Sequence, residues 1–268
     1  MALAWDNVFE MPCPGRSCKP RETGFTMVID KGLGLQRTQD LIDTAGTVVD
    51  DVKLTFGTSA FYDGDLLKKK NELLLANDID CMPGGTFLEV SVWQGRYVEF
   101  LARAKELGFN MIEVSDGTIE MSPQTRKDCI SRALDAGFKV ISEVGKKDPN
   151  EKIATSLMAE EIAADLAAGV YKVIVEAREA GKNIGIFDKD GKVKEDEVDA
   201  IVSAVADPDT LVWEAPIKNQ QQLLILRFGT NVNLGNIPPD DILALEALRQ
   251  GLRGDTLKRA YLTNKEYK

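Results

Sequence analysis

Charged residues end several short apolar runs of this chain, and they are the residues best suited to chemistry. The carboxylates are Glu113, Glu143, Glu176 and Glu214, and the cations are Lys31, Lys53 and Arg178. Burying an unpaired charge is costly, so a charge rarely closes a buried strand by accident. If the runs are parallel strands of one barrel, these groups converge on one mouth. Such a mouth could bind a metal through oxygen ligands, or an anionic small molecule.

The composition limits which chemistry these groups can perform. With no histidine among 268 residues, the chain lacks the usual general base, a Ser-His-Asp triad and the HExxH zinc motif. Catalysis must therefore use Lys, Glu, Asp, Arg or Tyr side chains, or a hard metal ion. The formal net charge of −10 argues against nucleic-acid binding, although locally focused cations can still bind an anionic small molecule.

Other sequence features bear on location and redox state. No stretch approaches the roughly 18 consecutive apolar residues of a membrane helix, and the N-terminus lacks the basic and apolar regions of a signal peptide. We therefore expect a cytoplasmic protein with no membrane partner.

The cysteines are Cys13, Cys18, Cys81 and Cys129. They are too few and too scattered for a disulfide scaffold, so we expect reduced thiols.

Eight short runs rich in β-branched and apolar residues are each followed by room for a helix. The predicted strands are Phe25–Asp30, Asp51–Leu54, Ile79–Met82, Met111–Val114, Lys139–Glu143, Lys172–Glu176, Leu211–Glu214 and Asn231–Leu234. The predicted helices between them include Gly95–Leu107, Pro123–Ala136, Met158–Ala167 and Asp240–Leu248. Eight alternating units predict a closed (β/α)8 TIM-type barrel, which typically needs about 250 residues. We assign residues 21–268 to this single domain and residues 1–20 to an irregular N-terminal arm.

Two adjacent lysines follow the predicted fifth strand. Alternate residues of a strand face the barrel interior, and this alternation places Glu143, Gly145 and Lys147 on one side and Lys146 on the other. Lys147 is therefore the preferred catalytic lysine. Because the alternation weakens beyond the end of a strand, Lys146 also remains a candidate. Lys53, near the end of the second strand, is a third.

The strand-end glutamates predict a metal site. Magnesium prefers oxygen ligands, and the candidate ligands are Glu113, Glu143, Glu176 and Glu214. The alternative is that these carboxylates form ion pairs with lysine or arginine side chains and bind no metal. The sequence leaves both alternatives open.

Small residues follow three of the predicted strands. They are Gly57-Thr58-Ser59, Gly84-Gly85-Thr86 and Gly235-Asn236. At a strand-to-helix turn, such residues let backbone N–H groups approach a phosphate at the N-terminus of a helix. An ordinary turn explains each one separately, but their occurrence at one end of the same barrel favours a binding role.

The motifs, taken in order, resemble those of the phosphosulfolactate synthase family from about Gly24 to Thr256. The matching segments include Asp30-Lys31-Gly32, Gly57-Thr58-Ser59-Ala60, Pro83-Gly84-Gly85-Thr86, Glu113-Val114-Ser115-Asp116-Gly117, Glu143-Val144-Gly145-Lys146-Lys147, Glu176-Ala177-Arg178-Glu179, Glu214-Ala215-Pro216 and Asn233-Leu234. The resemblance implies a magnesium-dependent barrel enzyme that adds sulfite to phosphoenolpyruvate and forms (2R)-phospho-3-sulfolactate. This family opens a route to coenzyme M in archaea and is linked to sulfolactate formation in bacteria. It also implies a homo-oligomer, with a trimer as one form.

The resemblance implies roles for individual residues as well. The implied substrate-binding residues are Lys31, Arg178, Asn233 and Asn236, together with the Gly57-Thr58-Ser59 and Gly84-Gly85-Thr86 turns. Cations among them would offset the repulsion between two anionic substrates. A lysine, with a pKa lowered by neighbouring cations and by burial, would protonate the carbon next to the substrate carboxylate.

Two other functions fit the same motifs. A paralogous enzyme would keep the phosphoenolpyruvate and magnesium site but use another nucleophile, and no single residue identifies sulfite. A non-catalytic barrel would act as a stress-related or interaction protein. The presence of Lys146 and Lys147 together with Glu143 and Glu176 disfavours this last hypothesis.

Overall fold

A computed structural model describes residues 4–148, 154–177, 181–182 and 186–263. Its strands are β1 (Thr26–Asp30), β2 (Asp51–Leu54), β3 (Asp80–Pro83), β4 (Met111–Ser115), β5 (Lys139–Val144), β6 (Lys172–Val175), β7 (Leu211–Glu214) and β8 (Leu234–Ile237). They form one parallel sheet in the order β3-β2-β1-β8-β7-β6-β5-β4. The sheet curves into a nearly closed barrel, which confirms the predicted (β/α)8 TIM-type fold.

Helices separate successive strands along the chain. In the described ranges they are α1 (Leu35–Ala45), α2 (Gly64–Leu75), α3 (Gly85–Trp93), α4 (Tyr97–Glu106), α5 (Pro123–Asp135), α6 (Thr155–Ala167), α7 (Glu195–Ala204), α8 (Lys218–Phe228), α9 (Ile242–Arg249) and α10 (Gly254–Thr263). Local sequence explains some of their starts, since the Asp63 and Ser122 side chains accept backbone N–H groups at the beginning of α2 and α5. Of the helices in these ranges, none is both long and apolar enough to cross a membrane.

Apolar residues pack against both faces of the sheet. The larger cluster lies between the strands and the helices and includes Val28, Val52 and Val114. A smaller cluster inside the barrel consists of Phe25, Met27, Met82, Met111, Ile141, Ile174 and Val212. On four strands, a glutamate follows an inner apolar residue by two positions. The apolar cluster therefore fills the amino-terminal half of the interior, and the glutamates lie nearer the carboxyl ends of the strands.

Side chains join β3 and β4, which are the two ends of the hydrogen-bonded strand order. The carboxamide of Asn110 accepts the Cys81 N–H at 2.9 Å and donates to the Asp80 carboxylate at 2.7 Å. Lys139, at the start of β5, pairs with the other oxygen of Asp80 at 2.8 Å. These contacts complete the barrel at its amino-terminal end.

The eighth strand is shifted from its predicted position. We predicted Asn231–Leu234, but β8 runs from Leu234 to Ile237. Gly235 and Asn236, which are typical turn residues, instead form a bulge inside the strand, where the pairing with β1 skips one residue of β8. Asn236 has a positive φ of 54°, which is also common in turns, so the local sequence signal was misleading.

The N-terminal arm lies against the amino-terminal end of the barrel. Arg16 pairs with Glu246 of α9 at 2.9 Å, and the Cys13 N–H donates to the Gln250 carbonyl at 3.0 Å. The cysteines of the chain are unbridged. The arm is thus attached at the end opposite the predicted mouth.

Candidate active site

Four glutamates lie together inside the carboxyl-terminal half of the barrel. They are Glu113 on β4, Glu143 on β5, Glu176 directly after β6 and Glu214 on β7. Each of these residues is at most 2% exposed. Because each one follows an inward-facing apolar residue by two positions, strand alternation turns all four side chains inward. The structure thus brings these four predicted residues together.

Lys53 is the central counter-ion of this glutamate cluster. Its ammonium lies 3.0 Å from Glu214, 3.2 Å from Glu113 and 3.3 Å from Glu143, and its side chain is 4% exposed. Burial alone would lower the pKa of Lys53, but the carboxylates of Glu113, Glu214 and Glu143 raise it well above its ordinary value. Lys53 therefore stays charged and offsets the repulsion between the glutamates.

Lys147 occupies the outer side of the same cluster. Its ammonium lies 2.7 Å from Glu143 and 3.5 Å from Glu176, and it donates to the hydroxyls of Thr86 and Ser115 at 3.2 Å each. Its side chain is 19% exposed, so solvent reaches it. Lys147 is consequently better placed than Lys53 to contact a substrate that enters from the mouth.

The pKa of Lys147 changes in the direction opposite to our expectation. We expected neighbouring cations and burial to lower it. Burial does act in that direction, but the carboxylates of Glu143, Glu176 and Glu113 outweigh it and raise the pKa of Lys147 above its ordinary value. Lys147 therefore holds its proton at neutral pH.

Lys146 contacts a different group of residues. Its ammonium donates to the Asp116 backbone carbonyl at 2.7 Å and lies 3.7 Å from the Asp116 carboxylate. Asp116 pairs with Arg126 of α5 at 2.9 Å, and Arg126 also pairs with Asp165 of α6 at 2.7 Å. The difference of one residue therefore directs Lys147 to the glutamates and Lys146 to the loop after β4.

Protons remain on part of the glutamate cluster near neutral pH. Burial, assisted by Glu143 and opposed by Lys53, raises the pKa of Glu113 to about 8. Burial and the charges of Glu143 and Glu214 raise the pKa of Glu176 well above its ordinary value. Burial acts in the same direction on Glu143, yet Lys147 and Lys53 hold its pKa well below the usual range. A cation that binds to Glu176 would therefore replace its proton.

Three of the glutamates form a set that could hold a metal ion. One oxygen each from Glu143, Glu176 and Glu214 lies within 4.8 Å of the other two. A buried, anionic, all-oxygen donor set suits a hard divalent cation. The ion pairs considered as the alternative are also present, because Lys53 and Lys147 contact the same carboxylates.

The Gly84-Gly85-Thr86 turn lies beside the cluster at the N-terminus of α3. A Cβ atom at Gly85 would lie 2.6 Å from Ser115 Cβ and 2.7 Å from Glu113 Oε1, so only glycine permits this approach of α3 to β4. Thr86 accepts the hydrogen bond from Lys147. The close packing thus brings the first turn of α3, with its backbone N–H groups, next to the lysine.

The Gly57-Thr58-Ser59 turn has a different environment. The Thr58 hydroxyl donates to the Thr55 carbonyl at 2.8 Å. Ser59 lines a cavity of about 480 Å³ on the outside of the barrel, between α2, α3 and α4. The Thr58 hydroxyl and the cavity that Ser59 lines therefore lie outside the glutamate cluster.

Two other predicted substrate-binding residues lie near the carboxyl ends of β1 and β8. Lys31 is exposed immediately after β1. Asn236 is 3% exposed in the bulge of β8, one residue beyond the pairing of Gly235 with Glu214. Arg178 lies outside the described residues.

Asn233, which we predicted to bind substrate, has backbone groups as its hydrogen-bond partners. The shift of β8 leaves Asn233 before the strand, at the amino-terminal end of the barrel. Its side chain accepts the Phe25 N–H at 3.0 Å and donates to the carbonyls of Asp209 and Leu211 at 2.7 and 3.0 Å. Asn233 thus connects the start of β8 to the segments that begin β1 and β7.

Sequence reasoning missed the roles of Glu89 and Ser115. Glu89 of α3 is 1% exposed and accepts a hydrogen bond from Ser115 Oγ at 3.0 Å. Ser115, at the end of β4, also lies 3.2 Å from Glu143 Oε1 and from Lys147 Nζ. A sequence signal was available, because Glu89 is the single charged residue of α3.

Comparisons with known proteins agree with the motifs. The family model described as (2R)-phospho-3-sulfolactate synthase (ComA) matches residues 14–255. A phosphosulfolactate synthase from Methanothermobacter thermautotrophicus is 42% identical over 258 residues, which cover 96% of this chain and 100% of that protein. A phosphosulfolactate synthase from Bacillus subtilis is 41% identical over 254 residues, covering 93% and 98% of the two chains. The crystal structure of phosphonopyruvate hydrolase is 14% identical with a TM-score of 0.54, covers 91% of this chain and 85% of its own, and supports the fold alone.

Proposed function

The chain belongs to the phosphosulfolactate synthase family and is an enzyme of that type, and from this premise we propose that it adds sulfite to phosphoenolpyruvate in a magnesium-dependent reaction that forms (2R)-phospho-3-sulfolactate. One observation carries the proposal: the ammonium of Lys147, whose side chain is 19% exposed, lies 2.7 Å from Glu143, a member of the carboxylate set that could hold a cation. A proton donor and a candidate cation site are therefore adjacent, as this addition requires.

Both substrates are anions, so positive groups must offset their repulsion. Lys147 lies on the outer side of the cluster with its side chain 19% exposed, whereas Lys53 is enclosed by three carboxylates and neutralises them. Lys31, exposed after β1, supplies a further cation at the carboxyl end of a strand. The phosphate of phosphoenolpyruvate would bind at the Gly84-Gly85-Thr86 turn, where backbone N–H groups of α3 lie next to Lys147.

The residues present fit a magnesium ion. Glu143, Glu176 and Glu214 would hold it through buried carboxylate oxygens. When bound, magnesium would act as a Lewis acid and stabilise the negative charge that the addition places on the substrate carboxylate. Glu176 must lose its proton to serve as a ligand, since burial raises its pKa.

The proposed addition needs no oxidant or reductant. A lone pair on the sulfur of sulfite forms a bond to the methylene carbon, and the electrons of the carbon–carbon double bond move toward the carboxylate. The carbon that bears the phosphate then takes a proton from Nζ of Lys147. Lys147 recovers a proton from solvent, to which its side chain is 19% exposed.

The experiment that tests this function is an assay of the purified protein with phosphoenolpyruvate, sulfite and magnesium chloride, scored by mass spectrometry. We expect one adduct of phosphoenolpyruvate with sulfite and a proton. In D2O the adduct should carry one deuterium on the phosphate-bearing carbon, because an ammonium proton exchanges with solvent. Reactions without sulfite and with a metal chelator are the controls. No adduct in the complete mixture would contradict the proposal, and consumption of phosphoenolpyruvate without sulfite would indicate another nucleophile.

A further inference from the structure

We propose that Glu89 is a positioning residue that sets the direction of the Lys147 ammonium. The inference rests on the proposed role of Lys147 as the proton donor. Glu89 lies on α3, outside the carboxylate set that could hold a metal. Its hydrogen bonds lead to Lys147 by two routes, one through a loop backbone and one through a hydroxyl.

Glu89 anchors the loop that follows β4. Its Oε2 accepts the N–H groups of Thr118 and Ile119 at 2.8 and 2.7 Å, and its Oε1 accepts the Ser115 hydroxyl at 3.0 Å. The residue is 1% exposed, so water does not replace these partners. Loss of the carboxylate would leave buried donors unsatisfied, which is costly. The loop from Ser115 to Ile119 is therefore held at both ends by one side chain.

The first route to Lys147 runs through the backbone of this loop. The Gly117 carbonyl, between the anchored ends, accepts the Lys147 N–H at 2.9 Å. A Cβ atom at Gly117 would lie 3.1 Å from Lys147 Cγ, so the loop also packs against the lysine side chain. A displacement of the loop would therefore move both the backbone and the side chain of Lys147.

The second route runs through the Ser115 hydroxyl. Ser115 Oγ lies 3.0 Å from Glu89, 3.2 Å from Glu143 and 3.2 Å from Lys147 Nζ. A hydroxyl donates one hydrogen bond and accepts two. When Ser115 donates to Glu89, its lone pairs remain available to the ammonium. Glu89 also lies 3.7 Å from Lys147 Nζ and attracts it directly.

Helix α3 combines these contacts on one face. Thr86 precedes Glu89 by three residues, a spacing that places both side chains on the same side of a helix. Thr86 accepts a hydrogen bond from Lys147 at 3.2 Å, while Glu89 holds the loop on which the lysine rests. Thus α3 determines where the ammonium points, although Glu89 itself need not touch substrate.

The test compares Glu89→Gln and Glu89→Ala with the control Glu99→Gln. Glu99, on α4, forms a surface ion pair with Arg96 and lies away from the loop. We expect the Glu89 variants to lower kcat roughly tenfold to a hundredfold, the size of effect that a small misplacement of a catalytic group produces. The KM for phosphoenolpyruvate and the magnesium affinity should change much less, because the binding groups remain. Glu99→Gln should behave like the parent.

Amide hydrogen exchange supplies a readout that does not depend on the proposed reaction. In the Glu89 variants we expect faster exchange at the N–H groups of Thr118, Ile119 and Lys147, with the amides of α6 unchanged. Parental exchange at Lys147 would overturn the proposal, as would loss of thermal stability with kcat retained. A loss of magnesium affinity as large as that of Glu176→Gln would overturn it too, because Glu89 would then be a ligand.

Two further outcomes remain decisive. If the parent protein forms no phosphosulfolactate, the proposed function fails, and exchange at the Lys147 N–H still shows whether Glu89 holds that residue. If Glu89→Ala does not fold, Glu89→Gln and Ser115→Ala decide the question. Ser115→Ala removes the second route and one anchor of the loop but leaves the Glu89 contacts with the Thr118 and Ile119 N–H groups, so its loss in kcat should be smaller than that of Glu89→Gln. An equal or larger loss would contradict the two-route arrangement.

Discussion

Inside the barrel, the carboxyl-terminal half contains four glutamates and two lysines, whereas the amino-terminal half is mainly apolar. Polar groups near the amino-terminal end of the barrel have different partners. The buried Arg249 donates to the carbonyls of Thr230 and Val232 at 2.8 and 2.6 Å. Burial and the neighbouring Asp80 raise the pKa of Asp51 well above its ordinary value, so this buried acid is neutral.

Buried polar and ionised side chains therefore have different roles at the two ends of the barrel. At the amino-terminal end, buried side chains such as Arg249 complete the hydrogen bonding of the backbone, and ion pairs such as Lys139–Asp80 join neighbouring segments of the barrel. The buried Asp51 holds its proton. At the carboxyl-terminal end, ionised groups of both signs lie within 4 Å of each other and near the mouth. Changes at one end should therefore affect chemistry, and changes at the other should affect stability.

The largest effect is expected from Lys147→Met. Methionine keeps most of the apolar side chain but removes the charge and the proton. We expect kcat to fall by about 10²–10⁴-fold, the usual contribution of a positioned acid or base, while circular dichroism and magnesium titration stay close to the parent.

Lys146→Met is the matched control for this prediction, because Lys146 contacts Asp116 and not the glutamates. It should keep most of the activity. Parental turnover by Lys147→Met would remove that lysine from the mechanism. An inactive Lys146→Met beside an active Lys147→Met would reverse the assignment of the two lysines.

The second prediction concerns pH and metal together. The pKa of Glu113 is raised from 4.5 to about 8, and that of Glu176 is also raised, so the folded state retains protons that the unfolded chain releases. Between pH 4.5 and about pH 8, the unfolded state binds fewer protons than the folded state, so the free energy of unfolding must fall as pH rises. In metal-free buffer, Tm should therefore decrease from about pH 5.5 to about pH 8.5.

Magnesium should recover part of this loss, because it can replace the proton on Glu176, which belongs to the carboxylate set that could hold a metal. Differential scanning fluorimetry with and without magnesium measures both effects. Glu176→Gln should weaken the pH dependence and the response to metal, whereas the exposed Glu106→Gln should change neither. A Tm that rises with pH across this range would show that the glutamates are ionised without a metal.

The smallest effect is expected at the amino-terminal end. Asn233→Ala removes hydrogen bonds to three backbone groups and should destabilise the fold by about 1–3 kcal/mol in urea unfolding, with kcat/KM unchanged. Asn77→Ala, which removes a bond to an exposed helix carbonyl, is the control. Lost activity with unchanged stability would restore Asn233 to the substrate site.

Much of the fold and part of the site could be predicted from the sequence. Strand alternation relates Met111 to Glu113 and Ile141 to Glu143, so the inward direction of the glutamates is a local property of each strand. The same alternation distinguished Lys147 from Lys146. The predicted position of the eighth strand was wrong. Gly235 and Asn236 have a high turn propensity, but they lie inside β8 because this segment pairs with β1 and β7.

The sequence by itself determined the barrel, the family and the presence of charges at one mouth, because these follow from periodicity and motif order along the chain. Only the tertiary structure decided how those charges act on one another. The raised pKa of Lys147 depends on Glu143, Glu176 and Glu113, which come from three strands. The position of Glu89 depends on the packing of α3 against β4 at Gly85. Electrostatic and hydrogen-bond energies change steeply over a few ångströms, and distances between remote segments are set only when the chain has folded.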